Sequence, residues 1–167
     1  MFDVDVVVRE VERIGAIINA PNLLLVVHFA PVGDGTPHVE IKGGECFYVS
    51  SERGCEFSRR KVGVLSELLY LIFERVTTRM AIDYELKNRL LGQDSRRIIF
   101  SKKLELLGKI NPVWEDLERK SIEELLEESP YDDFASDRAR YCRKLRENGL
   151  SEDEIDKLAY DKYPLSL

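Results

Sequence analysis

The sequence contains few of the residues that carry most catalytic and metal-binding chemistry. Its 167 residues include only 2 histidines, 3 cysteines and 1 tryptophan. The histidines, His28 and His38, do not have metal-ligand spacing with any of the cysteines, so we expect no zinc site. An odd number of cysteines without a close repeat is typical of reduced thiols inside a cell. The sequence therefore predicts no metal centre, no disulfide scaffold and no cofactor.

A long apolar run is also missing. The longest one, residues 23–29, is interrupted by His28 and is far too short to span a bilayer. The first residues, MFDVD, include two acidic side chains where a secretory signal peptide carries basic ones. The chain has 31 acidic and 25 basic residues, a net charge of −6, which is unlike the basic footprint of a general nucleic-acid binder. We therefore expect a cytoplasmic protein that binds neither a membrane nor nucleic acid.

The first third of the chain predicts a helix followed by a small antiparallel sheet. Apolar residues spaced by three or four positions indicate a helix over residues 3–19. These apolar residues are Val7, Val11, Ile14 and Ile18. The apolar stretch at residues 23–29 predicts a buried strand, and the alternating residues 38–42 predict a half-buried one. Residues 45–51 and 55–60 predict a hairpin, so the meander has about four strands.

From residue 64 onward the periodicity is helical. Apolar stripes predict helices over residues 64–91 and 96–110. Asn111 and Pro112 then form a typical helix start, with Asn as the N-cap and Pro in the first turn. The fold class is therefore α+β: an N-terminal helix, a small antiparallel sheet and a mostly helical C-terminal half.

The end of the chain predicts a helical hairpin. Ser151 and Glu154 have the spacing of a capping box, which marks the start of its second helix. We expect a single α+β domain over residues 1–130, with the C-terminal helical hairpin, residues 131–167, packed on it.

The negative charge is concentrated in the last third of the chain. Residues 1–110 carry a net charge of +1, whereas residues 111–167 carry −7. A solvated helix face explains such a run in many proteins, and an acidic surface that binds a basic partner is the functional alternative. We select eight acidic residues as the candidate partner-binding surface. They are Glu115, Asp116, Glu123, Glu124, Glu127, Glu128, Asp132 and Asp133.

Other charged residues have both a chemical and a structural interpretation. Asp132 and Asp133 could serve in a hydrolase or could cap a helix, and capping is the commoner role. Arg96 and Arg97 open a helix, where they could hold an anion or form salt bridges, for example to Glu85. The basic side chains that follow Asp133 are expected to pair with neighbouring acids. They are Arg138, Arg140, Arg143, Lys144 and Arg146.

Nucleophilic catalysis requires a positioned base, and the two histidines are the candidates for one. His28 lies within an apolar stretch and is interpreted as a core histidine. His38 begins an exposed strand and is interpreted as a surface residue. The sequence therefore assigns no catalytic residue.

Three stretches of the sequence carry a family resemblance. The first is ECFYVSSERG at residues 45–54, and the second is LSELLYLIFE at residues 65–74. The third runs discontinuously from residue 83 to residue 114 and contains DYELKNR, DSRR and INPVW. Together they resemble the immunity protein 63 family, which belongs to bacterial polymorphic-toxin systems. The resemblance covers about residues 38–133 and does not include the C-terminal hairpin.

The resemblance implies a small cytosolic protein encoded beside a secreted toxin, as in contact-dependent inhibition between bacteria. Such a protein binds its cognate toxin in the producing cell and blocks it, and it is not an enzyme. A nuclease toxin would have a basic substrate cleft that complements the acidic surface. The residues that anchor the resemblance have no assigned binding role, and Trp114 is expected to lie in the core. These anchors are Tyr84, Glu85, Arg96, Arg97 and Trp114.

Two other functions are open alternatives. One is a small cytosolic hydrolase that uses surface carboxylates such as Asp132 or Asp133. It would require a pocket in which the pKa of a carboxylate is raised. The other is a non-catalytic regulatory module that pairs through the C-terminal hairpin, where an uncovered apolar face would be expected.

Overall fold

The computed structural model describes residues 2–165 and confirms the α+β architecture, with an N-terminal helix, an antiparallel sheet and a mostly helical C-terminal half. The helices are α1 (Val4–Ile17), α2 (Leu65–Lys87), α3 (Ser95–Ile110), α4 (Pro112–Glu128), α5 (Ala135–Glu147) and α6 (Glu152–Lys162). The strands are β1 (His38–Lys42), β2 (Glu45–Glu52) and β3 (Cys55–Val62), preceded by a short 3₁₀ helix, Asn22–Leu25. No helix within residues 2–165 is both long enough and apolar enough to cross a membrane.

The chain is organised in two compact units. The first contains Met1–Met80 and Glu105–Glu115, and the second contains Ala81–Leu104 and Asp116–Leu167. In the second unit, α5 and α6 form the predicted helical hairpin, and α6 begins with the predicted capping box. There the Glu154 carboxylate accepts a hydrogen bond from the backbone N–H of Ser151 at 3.0 Å. The expected domain boundary near residue 130 stays a prediction.

The sheet of the first unit has the strand order β1-β2-β3, and both neighbouring pairs are antiparallel. Cys46 of β2 lies opposite Val62 of β3, and both side chains are buried together with that of Val39 in β1. Arg53 and Gly54 connect β2 to β3 with positive φ angles of 49° and 81°. Two consecutive positive φ angles are the geometry of a type I′ turn, whose twist matches that of a hairpin.

Three strands form within the described part of the chain, so the predicted number of about four is wrong by one. The expected strand at residues 23–29 is replaced by the 3₁₀ helix and an extended segment. This segment forms a single bridge to β1, in which the backbone N–H of Val39 donates to the carbonyl of His28 at 2.8 Å. Proline has no N–H to donate to a strand ladder, and Pro31 and Pro37 follow closely. The pairing therefore ends after one bridge.

The core of the first unit is built from α1, the N-terminal part of α2 and one face of the sheet. The four apolar residues that predicted α1 are all buried. Phe73 and Leu68 of α2 are fully buried and are among the largest side chains of this core. Their contribution is burial of apolar surface, which stabilises a protein by about 25 cal/mol per Å².

Trp114 completes this core at the start of α4. The helix starts as predicted, because the Asn111 side-chain oxygen accepts a hydrogen bond from the N–H of Val113 at 2.9 Å. Trp114 is only 5% exposed and stacks on Phe73, with 6.2 Å between the ring centroids and 22° between the ring planes. Tyr70 lies at 6.0 Å from the same ring. Trp114 is therefore a core residue, as expected.

We expect Trp114→Ala to lower the free energy of unfolding by about 3–5 kcal/mol, because it deletes a large buried side chain. Val113→Ala is the control, since that neighbouring side chain is 62% exposed. The control should change stability by less than about 0.5 kcal/mol. Urea denaturation followed by far-UV circular dichroism measures both variants, because Trp114→Ala removes the only tryptophan fluorophore. Equally small losses in the two variants would contradict the core role of Trp114.

Candidate functional site

Five of the eight candidate acidic residues are exposed on α4, and we call them the acidic face. They are Asp116, Glu123, Glu124, Glu127 and Glu128. Position 123 lies about two helical turns after position 116, and position 127 lies about one turn after position 123, so the three share one stripe of the helix. Positions 124 and 128 lie beside this stripe. Within residues 2–165 none of these five carboxylates forms an ion pair or a side-chain hydrogen bond. The acidic face is therefore a solvated row of unpaired negative charge.

Two other acids of α4 turn away from this face. Glu118 is buried, and its carboxylate lies 2.7 Å from the Lys103 ammonium, which is buried as well. A buried charge is stable only with a partner, so Lys103 holds Glu118 inward. Glu115 is half-buried, and its carboxylate lies against Gly108, where the Cβ of any other residue would collide with it. Glu115 therefore does not extend the acidic face.

Asp132 and Asp133 are engaged in ion pairs. Asp132 pairs with Arg138, and Asp133 receives two hydrogen bonds from Arg97 at 2.9 and 3.1 Å. These guanidinium groups hold the pKa of both aspartates below the ordinary value. A general acid of a hydrolase has a raised pKa instead, so this environment does not match that role. Neither aspartate is the N-cap of α5, which is Phe134, but the Asp132 carboxylate accepts a hydrogen bond from the N–H of Phe134 at 3.2 Å.

Asp94 connects the two aspartates. It caps α3 by accepting a hydrogen bond from the N–H of Arg96 at 2.9 Å, and its second oxygen accepts from the N–H of Asp132 at 2.9 Å. In return, the Asp133 carboxylate accepts from the N–H of Asp94 at 2.9 Å. Arg96 also donates to the carbonyls of residues 129–130 at 2.9 and 2.7 Å. We call this set the clasp. It consists of Asp94, Arg96, Arg97, Asp132, Asp133 and Arg138.

The residues that anchored the family resemblance are mostly structural. Arg96 and Arg97 form salt bridges within the clasp, and neither pairs with Glu85. Glu85 is buried and pairs with Arg89, whose Nε lies 2.7 Å from its carboxylate. Tyr84 is exposed, and the Lys102 ammonium lies 4.7 Å from the centre of its ring. Of the anchors in the second unit, Tyr84 is thus the one with the most accessible side chain.

The basic stretch at residues 138–146 pairs with neighbouring acids, as expected, at three of its positions. Arg138 pairs with Asp132 in the clasp, and Arg140 pairs with Asp137. Arg146 and Glu152 form two hydrogen bonds of 2.8 Å between α5 and α6. These pairs stabilise the hairpin locally and leave less unpaired positive charge for an anionic partner.

Neither histidine lies where the sequence predicts it. His38 is only 1% exposed, and its Nε2 lies 3.2 Å from the Glu40 carboxylate. Its Nδ1 has no hydrogen-bond partner among the described residues. Hydrogen bonds from Lys42, Arg59 and His38 lower the pKa of Glu40 to about 2. His28 is half-buried and lines a cavity beside α2 instead of packing in the core. The alternating pattern of β1 does not indicate that His38 is buried, and the apolar stretch around His28 does not indicate that His28 lines a cavity. Both placements depend on segments that are distant in the sequence.

One family model matches part of the chain. It is the model of the family Immunity protein 63, and it matches residues 43–124, just under half of the chain. This match confirms the resemblance. It includes Asp116, Glu123 and Glu124 of the acidic face, whereas α5 and α6 lie outside it. No curated protein and no solved structure matches the chain.

The clasp generates a stability prediction. We expect Arg138→Ala to lower the free energy of unfolding at pH 7 by about 2–4 kcal/mol, somewhat less than the loss of a fully buried pair, because Asp132 is left unpaired. Arg138 lowers the pKa of Asp132 in the folded state. The contribution of the pair is therefore present above the ordinary pKa of 3.8 and is lost as the pH falls through the lowered folded value.

Urea denaturation at pH 7 and at about pH 2.5 measures this effect. The difference in the free energy of unfolding between wild type and Arg138→Ala should be smaller at the lower pH. Arg140→Ala is the control, since its pair with Asp137 is largely exposed. The Arg140→Ala substitution should lower the free energy of unfolding by less than about 1 kcal/mol at either pH. A difference for Arg138→Ala that did not change with pH would show that Arg138 acts by packing or by its hydrogen bonds to the carbonyls of Tyr163 and Pro164, and not by pairing with Asp132.

Proposed function

We propose that this protein neutralises a cognate nuclease toxin in the cytoplasm of the producing cell by placing the acidic face in the basic substrate cleft of the toxin. The family supports the immunity role and a toxin protein as partner. The acidic face is the observation that supports the proposal that this toxin is a nuclease. The other candidates for this surface, Glu115, Asp132 and Asp133, are held by contacts within the chain and are not included in the proposal.

Most of the charge of the acidic face lies at the C-terminal end of α4. An α-helix rises 1.5 Å per residue, so the carboxylates at positions 123, 124, 127 and 128 lie within about 7.5 Å along its axis, and Asp116 lies about 10 Å before them. One DNA strand carries one phosphate per about 3.4 Å, so these four carboxylates are at least as dense as its phosphates. Arg119 and Lys120 are exposed on the same helix and reduce its net charge. A cleft built to neutralise phosphates would still attract this surface, most strongly at low salt.

The acidic face is presented by a fixed helix and not by a loop. On the opposite side of α4, Glu118 is tied to Lys103 of α3, and Ile122 is buried one turn further on. These contacts restrict rotation of α4 about its axis. A preorganised surface loses less conformational entropy on binding, which supports tight inhibition by a small area.

Inhibition by binding alone, without catalysis, is part of the proposal. The hydrolase alternative is disfavoured because Asp132 and Asp133 are ion-paired and their pKa values are lowered. The alternative of a module that pairs through α5 and α6 is less favoured, because three apolar side chains of this hairpin are already buried. These side chains are Leu145, Ile155 and Ala159.

Charge reversal on the acidic face tests the proposal. The toxin is first recovered with the tagged protein from producing cells, identified by mass spectrometry and purified as an isolated domain. The test variant carries Lys in place of Glu123, Glu124, Glu127 and Glu128. We expect it to bind the toxin domain at least about 100-fold more weakly at low salt, because four favourable charge contacts become repulsive. Isothermal titration calorimetry measures the affinity, and circular dichroism confirms the fold.

A matched control carries the same change of net charge at exposed acidic positions outside the face. It replaces Glu12, Glu147, Asp156 and Asp161 by Lys. Its affinity should change less than about threefold, since only long-range steering is altered. Wild-type affinity of the test variant at low salt would refute the role of the acidic face. A toxin without a nucleic-acid cleft would refute the nuclease part and leave the immunity function standing.

A further inference from the structure

A cavity in the first unit is not used by the proposed function. It lies beside α2, next to β1, β2 and the segment that contains the 3₁₀ helix, and its volume is about 410 Å³. This volume is typical of sites for small ligands. The cavity occupies the place where residues 23–29 touch β1 at a single bridge and do not close against it as a strand. Its apolar wall includes Leu24, Val27, Val39, Ile72 and Val76.

Two arginines of α2 line the same cavity. Arg75 and Arg79 are four positions apart, so both project from one side of the helix. Arg75 lies 3.5 Å from the Thr36 hydroxyl, and it opposes the rise in the pKa of Tyr48 that burial causes. Within residues 2–165 no carboxylate forms an ion pair with Arg75, and Asp34 interacts with it only at longer range. Arg75 therefore has unused capacity to bind an anion.

This combination selects a ligand by charge and by shape. The Arg75 guanidinium would attract an anion that enters the cavity. A guanidinium presents a planar fork of donors that matches a carboxylate. The apolar wall favours contact with a hydrocarbon group, and a small hydrophilic anion has no such group. A ligand that satisfies both parts of the cavity carries a carboxylate at one end and a hydrocarbon at the other.

We propose that this cavity binds a small organic carboxylate with a hydrocarbon tail, its carboxylate on Arg75 and its tail against Val39 and Ile72. Tyr48 and other polar lining groups lie within the same cavity and would orient the carboxylate. The site uses no residue of the acidic face, so it does not depend on the identity or chemistry of the toxin.

Titration of the full chain with octanoate tests the proposal. We expect saturable binding by isothermal titration calorimetry, with a Kd below about 1 mM, since charge-assisted hydrogen bonds add to burial of the tail. Each buried methylene contributes about fourfold in affinity, so hexanoate should bind about 15-fold more weakly than octanoate. Octylammonium has the same tail and the opposite charge, and it should not bind. Methyl NMR shifts at Val39 and Ile72 would locate the tail.

Variants at exposed positions separate binding from folding. Arg75→Ala should weaken octanoate binding at least about 10-fold, and Arg75→Lys should weaken it less, because Lys keeps the charge and loses the fork. Arg143→Ala, which removes an exposed arginine from α5, is the matched control and should have less than a twofold effect, roughly the error of the method. Leu23→Glu adds a negative charge at the rim, where the side chain is 84% exposed, and should also weaken binding.

Three results would overturn the proposal. The first is no saturable heat with octanoate up to about 10 mM, since a ligand that fits the cavity should bind within that range. The second is equal affinity for octanoate and octylammonium, which would show that the arginines do not select the charge. The third is an equal loss of affinity in Arg75→Ala and Arg143→Ala, which would place the binding outside the cavity.

Discussion

The cost of removing charge from water decides which acidic residues of this protein are available to a partner. A carboxylate in a low-dielectric interior needs a cation or a set of hydrogen bonds beside it. Glu118 has Lys103, Glu85 has Arg89, and Asp132 has Arg138. On the solvent side of α4 no such requirement exists, because water stabilises each carboxylate. The same helix therefore carries two acids that are held by contacts within the chain, Glu115 and Glu118, and five that are unpaired.

Ion pairing also links the matched region to the rest of the chain. The family match ends at residue 124, within α4. Asp94 and Arg97 of the clasp lie inside that region, whereas Asp132 and Asp133 lie beyond it. The clasp thus joins the start of α3 to the loop before α5 by charge-assisted hydrogen bonds. Such bonds are directional, so they fix the path of this loop more tightly than apolar contact alone would.

Apolar packing has the corresponding role in the first unit. Phe73 and Trp114 stack in a core that α1 and one face of the sheet complete. The sheet has only three strands, and the segment before β1 does not extend it. The cavity beside α2 lies next to this short pairing. Binding sites commonly occur where the chain departs from regular structure and both charged and apolar groups line the same cavity.

The sequence by itself determined the elements whose signals are local. The spacing of Val7 to Ile18 specifies α1, Asn111 and Pro112 specify the start of α4, and Ser151 with Glu154 specifies α6. The exposed positions of the acidic face follow from helical periodicity in the same way, because the inward side of α4 is marked by Trp114 and Ile122. The family resemblance likewise depends on contiguous stretches of sequence.

Only the tertiary structure decided the contacts between distant segments. Asp132 and Asp133 resemble any exposed acidic pair in the sequence, and their engagement depends on Arg138 and on Arg97, which lies 36 positions away. The apolar residues 23–29 have the composition of a strand, yet a strand requires a partner edge along its whole length. His38 is buried for a similar reason, since alternation along one strand does not report what covers its second face. Periodicity describes a residue's own element, whereas burial and pairing are properties of the neighbours that folding brings to it.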